Sequence, residues 1–501
     1  FEWGYVAGHS TGGDSYEGYL DTDYNGSFYL MGSFRGSVAF GEYSVEHSLS
    51  LAYGRFVLKF NQNCEFQWLN LIENKNLYDI VADVSGNVFI NYYDSVNRSY
   101  GIIKFDTNGT EQWTNIQNKH SRDLFITVDG KIVTIGSNNE LIYISQLSSS
   151  AAEEWLVHFD GNSGTGRTAG LAADNAGNVY TYGTTAPTNY FGQEIGKGSF
   201  ICKQDASGNV VWLNHFPDVI VTTSVHGNPI IIDKQNQHVY ICGYFEEPLV
   251  INGTTTLTPA PEGSTFVIKY DVDGNYINHI QEDFVGGGAL SVESDYTGNL
   301  ILSDSYDQTV NVANTDLTSS GQNDVYLAKY DSNLSPLWVL NVGGESTEWM
   351  LMASTDAADN IYVTGEFYSQ NINIGSHPLT MNEGDGNTCL AKINASGNIV
   401  WAKTLAAGGT GSSDYSSWPT GIVSNELGET YIKGWHGKST FFDDIEITNP
   451  NSVSDSYNYY ITKLDANGNV LWANSINEET YGFDYNQFAI DASGSVYLGA
   501  Q

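Results

Sequence analysis

The sequence predicts an all-β fold: a single large β-propeller of eight to nine four-stranded antiparallel blades, with small β-ribbon inserts on one face. Three observations predict this fold. A lysine repeatedly stands nine residues before a tryptophan. Short β-branched and aromatic runs alternate with Asp-x-x-Gly-Asn turns. No long stretch shows the 3.6-residue period of an amphipathic helix.

The repeated element is a β-hairpin, seen at residues 459–473. A strand ending at Lys463 and Leu464 leads into the turn Asp465-Ala466-Asn467-Gly468-Asn469, whose Asn and Gly tolerate the positive φ of a tight hairpin. The returning strand carries Trp472. The structural repeat pairs with this spacing are Lys59 and Trp68, Lys104 and Trp113, Lys203 and Trp212, Lys329 and Trp338, Lys392 and Trp401, and Lys463 and Trp472. Two degenerate copies pair Gln146 with Trp155 and Lys269 with Asn278. Such self-similarity indicates a repeat architecture.

Each repeat is predicted to contain four strands, A to D, in the order expected of one propeller blade. The eight complete units are residues 16–74, 77–118, 122–160, 166–217, 221–283, 289–342, 349–406 and 414–477. The ends fall outside these units: residues 1–12 contain a segment resembling a lone D strand, and 483–501 supply an A and a B strand. These ends predict either a shared ninth blade lacking its C strand or eight blades with terminal extras.

The inserts between strands B and C carry a pattern of their own. Val38 to Phe40 is followed by Val45, and the same spacing recurs at Val310 to Val312 with Leu317, Ile372 to Ile374 with Leu379, and Thr440 to Phe442 with Ile447. This alternation predicts a small extra β-ribbon on many blades. Because the B–C and D–A loops of a propeller share one face, that face is the expected ligand face.

Composition restricts the partners. The 58 acidic residues against 20 basic ones give a net charge of −38, which disfavours nucleic acid and anionic membrane surfaces. No apolar run is long enough to span a membrane. The chain starts at Phe1 inside a strand pattern, so we expect a mature end left after a secretion leader was removed.

The residues Gly32 to Gly41, Tyr362 to Phe367, and Ala391-Lys392 with Gly397 to Lys403 resemble the SBBP-type β-propeller repeat. This resemblance covers nearly the whole chain. It implies a secreted or surface protein of Bacteroidetes type, exported by a type IX secretion-like route, although no C-terminal sorting domain is visible. The Asp-x-x-Gly-x-x-x-Trp units are also similar to the tryptophan-docking motifs of quinoprotein dehydrogenases and outer-membrane assembly scaffolds. The chain has no adjacent cysteine pair, which disfavours the quinoprotein alternative.

Two kinds of residue are candidates for a site. The Lys–Trp pairs are expected to be cross-strand neighbours, with the lysine stem over the indole face, and are either ligand-binding aromatics or inter-blade packing. Repetition in blade after blade favours packing. Asp21, Asp23 and Asn25 have the Asp-x-Asp-x-Asn-Gly spacing of calcium loops, although Gly32 stands where an EF-hand carries its glutamate. Calcium is the one cofactor considered, with a hairpin turn as the alternative.

No catalytic constellation is apparent, so the leading function is a non-enzymatic extracellular binding or scaffold module. It would serve in adhesion or as a subunit of a cell-surface appendage. Expected partners are other protein chains of a surface assembly, a cell-surface glycan, or further copies of the chain itself. The alternative is a glycan-processing hydrolase, which requires two carboxylates about 5–10 Å apart. An intracellular assembly scaffold is a third reading.

Overall fold

The structure is a computed structural model in which every regular element of the described residues is a β-strand. The described residues are 7–9, 15–23, 27–34, 37–40, 43–46, 54–61, 65–117, 121–126, 130–137, 141–160, 167–174, 176–185, 188–190, 193–217, 229–233, 235, 237–283, 290–381, 387–408, 417–437, 439–448, 458–476, 488–490 and 496–498. Within them, no helix is long and apolar enough to cross a membrane.

The first half of the chain forms strands β1 to β21. In order they are β1 (Ala7–His9), β2 (Ser15–Thr22), β3 (Phe28–Phe34), β4 (Ser37–Phe40), β5 (Tyr43–Glu46), β6 (Gly54–Phe60), β7 (Phe66–Ile72), β8 (Lys75–Ala82), β9 (Val88–Asp94), β10 (Ser99–Phe105), β11 (Glu111–Gln117), β12 (Ser121–Ile126), β13 (Ile132–Ser137), β14 (Leu141–Leu147), β15 (Glu153–Asp160), β16 (Arg167–Ala173), β17 (Val179–Thr185), β18 (Thr188–Tyr190), β19 (Gln193–Ile195), β20 (Gly198–Gln204) and β21 (Val210–Pro217).

The second half continues with strands β22 to β47. They are β22 (Ile230–Ile232), β23 (His238–Phe245), β24 (Leu249–Ile251), β25 (Thr255–Leu257), β26 (Ser264–Asp271), β27 (Tyr276–Asp283), β28 (Ser291–Ser294), β29 (Leu300–Tyr306), β30 (Thr309–Val312), β31 (Thr315–Thr318), β32 (Asp324–Tyr330), β33 (Pro336–Gly344), β34 (Glu348–Thr355), β35 (Ile361–Phe367), β36 (Asn371–Ile374), β37 (His377–Thr380), β38 (Asn387–Ile393), β39 (Ile399–Gly408), β40 (Ser417–Ser424), β41 (Thr430–His436), β42 (Ser439–Phe442), β43 (Ile445–Thr448), β44 (Asn458–Leu464), β45 (Val470–Ile476), β46 (Phe488–Ile490) and β47 (Val496–Leu498).

The sheets follow one another as antiparallel meanders of strands A, B, C and D. Repeats 1 to 8 are the strand sets β2-β3-β6-β7, β8-β9-β10-β11, β12-β13-β14-β15, β16-β17-β20-β21, β22-β23-β26-β27, β28-β29-β32-β33, β34-β35-β38-β39 and β40-β41-β44-β45. This succession is the arrangement of propeller blades, so the chain is an all-β repeat protein of the β-propeller type.

Turn chemistry explains why the strands end where they do. In repeat 2, Asp83 accepts hydrogen bonds at Oδ1 from the backbone N–H of Ser85 and of Asn87, both at 2.9 Å. The amide of Asn87 donates to Oδ2 at 2.7 Å, and Gly86 takes a φ of 80°. A β-carbon is disfavoured at that φ, so glycine is the natural residue there. The Asp-x-x-Gly-Asn sequence is therefore satisfied within the hairpin itself.

The hydrophobic core lies between neighbouring sheets. Tyr182 and Ile201 of repeat 4 pack in one cluster with Ile241 and Phe266 of repeat 5. Further clusters join repeats 1 and 2, 2 and 3, 5 and 6, 6 and 7, and 7 and 8. Each sheet buries its apolar faces only with a neighbour present, which is the energetic basis of a repeat protein.

The predicted ribbons are observed with the expected partners. The cross-strand pairs are Val38 with Val45, Val310 with Leu317, Ile372 with Leu379, and Thr440 with Ile447. Two of these ribbons also extend the sheet of the preceding repeat: β36 pairs with strand D of repeat 6, β33, and β42 pairs with strand D of repeat 7, β39. The ribbons therefore tie neighbouring repeats together by main-chain hydrogen bonds.

The terminal segments lie beside repeat 1. Strand β1 pairs with ribbon strand β4, and β46 pairs with β47. Both β46 and β47 contact β2, strand A of repeat 1. The D-like segment predicted within residues 1–6 lies outside the described residues.

Candidate functional site

Five repeat tryptophans contact the turn of the following repeat. In repeat 4, Trp212 Nε1 donates to the backbone oxygen of Val272, in the C–D turn of repeat 5, at 3.0 Å. Gly274 of that turn lies directly under the indole, so that a Cβ there would come within 2.4 Å of the ring. Corresponding bonds join Trp68 to Thr107 (3.0 Å), Trp113 to Ser149 (3.3 Å), Trp338 to Ala395 (3.3 Å) and Trp401 to Ala466 (3.4 Å).

The repeat lysines converge on the same turns. Lys203, the cross-strand partner of Trp212, donates to the same Val272 oxygen at 2.9 Å. Its ammonium lies 5.1 Å from the centre of the Tyr180 ring on strand B and 4.0 Å from a carboxylate oxygen of Asp174. The expected contact of the lysine with the indole face is thus replaced by a cation–π contact with the strand-B tyrosine. Strand C lies between strands B and D, and the ammonium of Lys203 lies on the side of strand B.

Five other repeats keep the lysine part of this arrangement. Every repeat pair lies in cross-strand register, including the degenerate pairs Gln146 with Trp155 and Lys269 with Asn278. The lysine ammonium lies over a strand-B ring for Lys59 on Tyr29, Lys104 on Phe89, Lys269 on Tyr240, Lys392 on Tyr362 and Lys463 on Tyr431. These cation–π contacts lie within one sheet, whereas the bonds of lysine and tryptophan to the next C–D turn join neighbouring repeats.

Among the described residues, three tryptophans depart from the repeat pattern. Trp349, Trp418 and Trp435 lie on strands A and B, and none has a lysine nine residues earlier. Trp349 lies opposite Glu366 across strands β34 and β35, and Trp418 lies opposite Trp435 across β40 and β41. These three tryptophans do not occupy the position from which the repeat tryptophans contact the next C–D turn, so they are candidates for function.

Hydrogen bonds join the two pairs into one cluster. Trp418 Nε1 of repeat 8 lies 3.0 Å from Tyr368 Oη, just after strand B of repeat 7. Tyr368 in turn donates through its hydroxyl to Glu366 Oε1. We name the set Trp349, Glu366, Tyr368, Trp418 and Trp435 the tryptophan cluster. It spans the boundary between repeats 7 and 8.

The topology places this cluster at the insert edge of the sheets. Strand A begins where its antiparallel neighbour, strand B, ends, so the start of β34 and the end of β35 lie at one edge. Strand B of repeat 7 leads at that edge into ribbon strand β36. The tryptophan cluster therefore lies at the base of the inserts, at the edge where the sequence predicts the ligand face.

Burial keeps the carboxyl group of the cluster uncharged at neutral pH. It raises the pKa of Glu366 from 4.5 to about 8, against the lowering effect of hydrogen bonds from Tyr368 and Trp418. Trp349 is 40% exposed, and Trp418, Trp435 and Tyr368 are half-buried. The cluster therefore presents aromatic surface next to a neutral group that both donates and accepts hydrogen bonds.

A second buried carboxyl group is near in sequence but lies on the other side of the sheet. Burial also raises the pKa of Glu348 to about 7. Glu348 lies opposite Phe367, whereas Glu366 lies opposite Trp349. Since successive residues of a strand point to opposite faces, the two carboxyl groups face different inter-repeat spaces and do not form a pair.

Glu282 is a buried carboxyl group with a structural environment. It lies between repeats 5 and 6, where Tyr330 Oη donates to Oε1 at 2.6 Å and the hydroxyl of Tyr326 donates to Oε2. Burial raises its pKa to about 7. With both oxygens satisfied by protein hydroxyls, the group is part of the inter-repeat packing.

The predicted calcium loop is described only in part. Asp21 belongs to strand β2, and Asn25 lies outside the described residues. Asp23 accepts hydrogen bonds from the Ser27 backbone N–H at 3.0 Å and from Tyr29 Oη at 2.9 Å. The described part of the chain holds no group of three or more His, Cys, Asp or Glu side chains placed for a metal ion. Calcium binding at Asp21, Asp23 and Asn25 stays a prediction.

Sequence reasoning did not single out the tryptophan cluster. The signal was present, because the residues nine positions before Trp349, Trp418 and Trp435 are Leu340, Gly409 and Glu426. Sorting the tryptophans by that position would have separated these three from the repeat set. Their contacts with Tyr368 and Glu366 could not be predicted from this spacing, because these contacts depend on how two sheets pack.

Comparisons with known proteins show limited similarity. No family model matches the chain. The uncharacterized WD repeat-containing protein L264 of Acanthamoeba polyphaga mimivirus is 26% identical over 156 residues, which are 28% of this chain and 11% of the viral protein. The chain thus matches only about a tenth of the length of that relative.

Three solved structures are similar at low identity. The crystal structure of a eukaryotic initiation factor has a TM-score of 0.49 at 7% identity, covering 94% of this chain and 90% of that one. The Dos1 propeller has a TM-score of 0.44 at 9% identity, covering 85% and 92%. The β-propeller domain of the trilobed protease from Pyrococcus furiosus has a TM-score of 0.37 at 12% identity, covering 75% and 95%. The chain's own succession of meander sheets is what identifies it as a β-propeller-type repeat protein.

Proposed function

We propose that this protein is a non-enzymatic binding and scaffold module acting outside the cell, as an adhesion protein or as a subunit of a cell-surface appendage. Its partners in this proposal are cell-surface glycans or other chains of a surface assembly, including further copies of itself. The single observation that carries the binding role is the tryptophan cluster, where side chains that leave the repeat pattern meet at the insert edge of repeats 7 and 8.

The rest of the repeat array supports a scaffold role. Tryptophan and lysine contacts join one repeat to the next, and two ribbons add main-chain hydrogen bonds across repeat boundaries. A body joined this way holds its insert edge in fixed geometry, which lowers the entropic cost of binding a ligand there.

The test measures binding and turnover together. The purified chain is incubated with a panel of soluble polysaccharides, with affinity electrophoresis for binding and reducing-end release for hydrolysis. Binding without release of reducing ends is the expected result, and sustained hydrolysis would overturn the non-enzymatic assignment. Immunodetection in the medium and at the cell surface, compared with cell extract, tests the proposed location; a signal confined to the extract would contradict it.

A glycan-processing hydrolase is the second candidate. The observation in its favour is Glu366, an acid with a pKa of about 8 beside aromatic side chains, as a general acid requires. It would need a second carboxylate on the same face, whereas Glu348 lies on the opposite one. If hydrolysis were found, Glu366→Gln should abolish it while leaving binding intact.

We also propose a ninth blade shared by the two ends of the chain. Strand β1 pairs with ribbon strand β4 as the D strands β33 and β39 pair with β36 and β42. The pair β46–β47 contacts strand A of repeat 1, which supports its role as strands A and B of that blade. Electron microscopy at a resolution that counts blades tests this: nine blades are expected, and a ring of eight would contradict it.

A further inference from the structure

We propose that the tryptophan cluster is a binding site for an uncharged glycan, whose sugar rings stack on Trp349 and Trp435 and whose hydroxyls bind Glu366 and Tyr368. This inference rests on the proposed binding function and adds the chemical class of the ligand. Four features support it: the aromatic surface, the polar groups, the charge of the chain and the tryptophans at positions that vary among the repeats.

The aromatic surface fits a sugar ring. One face of a pyranose carries axial C–H groups and is apolar, while the hydroxyls lie around its edge. An indole offers a flat apolar face of matching size and loses little conformational entropy on binding. Trp349 is 40% exposed, so part of its ring is available to a ligand. The pairing of Trp418 with Trp435 places a second aromatic surface on the neighbouring sheet.

The polar groups of the cluster match hydroxyls. The Tyr368 hydroxyl and the Glu366 carboxyl are hydrogen-bonded to each other, and Trp418 Nε1 lies 3.0 Å from Tyr368 Oη. Because burial holds the pKa of Glu366 at about 8, both oxygen groups are uncharged at neutral pH. Uncharged groups that both donate and accept hydrogen bonds suit sugar hydroxyls.

The charge of the chain disfavours acidic glycans. At a net charge of −38, the protein repels uronate, sulfated and sialylated polymers over several ångströms at physiological ionic strength. A neutral polymer carries no such penalty. Of the glycan classes, the neutral one is therefore the class that this surface fits.

One position near the end of strand B varies among the repeats. Glu366 and Trp435 stand four residues after Tyr362 and Tyr431, the strand-B tyrosines that lie opposite the repeat lysines. The same position holds Ser33 in repeat 1, Thr184 in repeat 4, Ser305 in repeat 6, Tyr93 in repeat 2 and Tyr244 in repeat 5. Because small and large residues both occur here, packing between repeats does not require a tryptophan at this position.

The experiment compares two variants with a matched control. Trp349→Ala and Trp435→Ala are tested by affinity electrophoresis and titration calorimetry against laminarin, mannan, xylan and barley β-glucan, with alginate and polygalacturonate as anionic polymers. Tyr296→Ala is the control, because Tyr296 is 37% exposed but lies in an A–B turn at the opposite edge of its sheet. The thermal midpoint of each variant shows whether it is folded; if Trp435→Ala is not, Trp349→Ala decides the result.

The expected result is that wild type binds at least one neutral polysaccharide, that each tryptophan variant binds it about tenfold or more weakly, and that Tyr296→Ala binds as wild type. Neutral binding that survives both tryptophan substitutions would overturn the site and leave the binding function standing. Binding of anionic polymers only, or of none, would overturn the ligand class. Turnover of a polysaccharide would overturn the proposed non-enzymatic function, whereas the binding of the tryptophan variants would still test the site.

Discussion

The indole ring of Trp212 lies on Gly274 of the following repeat, so close that a Cβ at position 274 would sit 2.4 Å from the ring. The two residues are 62 positions apart, yet each belongs to the same Asp-x-x-Gly-Asn and Trp pattern. The turn glycine thus has two reasons to be glycine: its φ of 82° and the tryptophan above it. The turn conformation and the contact with Trp212 both disfavour a Cβ atom at position 274.

Gly274→Ala is expected to destabilise the protein by about 2–5 kcal/mol, the sum of left-handed strain and overlap with the indole. Gly130→Ala is the matched control, because Gly130 has a φ of 79° and nothing within 4 Å of its would-be Cβ. That control should lose only about 1–2 kcal/mol. Urea unfolding monitored by tryptophan fluorescence measures both, and equal losses would show that the Trp212 contact contributes nothing.

Two ion pairs of equal length differ in burial, one within repeat 6 and one between repeats 7 and 8. Lys329 and Asp295 lie 2.7 Å apart with side chains 1% and 0% exposed, while Lys403 and Asp443 lie at the same distance on the surface. Burial alone would raise the pKa of Asp295, but hydrogen bonds from Lys329 and Asn299 hold it below its ordinary value.

Lys329→Met is expected to cost about 3–5 kcal/mol because it leaves a buried carboxylate without its partner, whereas Lys403→Met should cost at most about 1 kcal/mol. Adding Asp295→Asn to Lys329→Met should recover most of the loss, since no buried charge then remains. Thermal denaturation of the four proteins decides this, and a double variant as unstable as Lys329→Met would argue against the charge explanation.

Glu366→Gln is expected to change how stability depends on pH. The folded pKa of about 8 lies above the ordinary 4.5, so the unfolded chain loses this proton first as pH rises. Wild type should therefore lose stability between about pH 5 and pH 8, at about 1.4 kcal/mol per pH unit for this one group. Glu366→Gln has no carboxyl group at this position, so it should not show this loss of stability.

The measurement for Glu366→Gln is the urea midpoint at pH 5, 6, 7 and 8. The advantage of the variant over wild type should grow across that range and become constant above pH 8. Glu345→Gln is the control, because Glu345 is exposed in the loop between strands β33 and β34. A constant difference between Glu366→Gln and wild type would mean that Glu366 is ionised in the folded protein.

Ile374→Ala tests whether the ribbons are part of the core. Ile374 is fully buried and lies opposite Val342 on strand D of the preceding repeat. Its truncation should cost about 2–5 kcal/mol. Asn373→Ala, next to it and exposed, should stay within about 0.5 kcal/mol of wild type. Calorimetric midpoints for the pair measure the effect, and an indifferent Ile374→Ala would mean the ribbon is not docked in solution.

Much of the fold was predictable because its signals are local. The hairpins follow from turn residues whose side chains are satisfied four residues away, as Asp83 and Asn87 show. The ribbons follow from alternation that brings Ile372 opposite Leu379. The partner of each lysine was harder to predict: the sequence suggested the indole face of the tryptophan opposite, but the ammonium lies over the strand-B ring. Lys203 on Tyr180 is one example.

The sequence by itself determined the strand meander and the cross-strand register of the Lys–Trp hairpins, because both depend on residues within one hairpin. Only the tertiary structure decided that Trp212 binds a turn 60 residues later, and that ribbon strand β36 belongs to the sheet of the preceding repeat. It also decided that Trp349 and Trp435 belong to one cluster. These contacts form between sheets joined by inserts of variable length, so their partners depend on packing and leave no fixed spacing in the sequence.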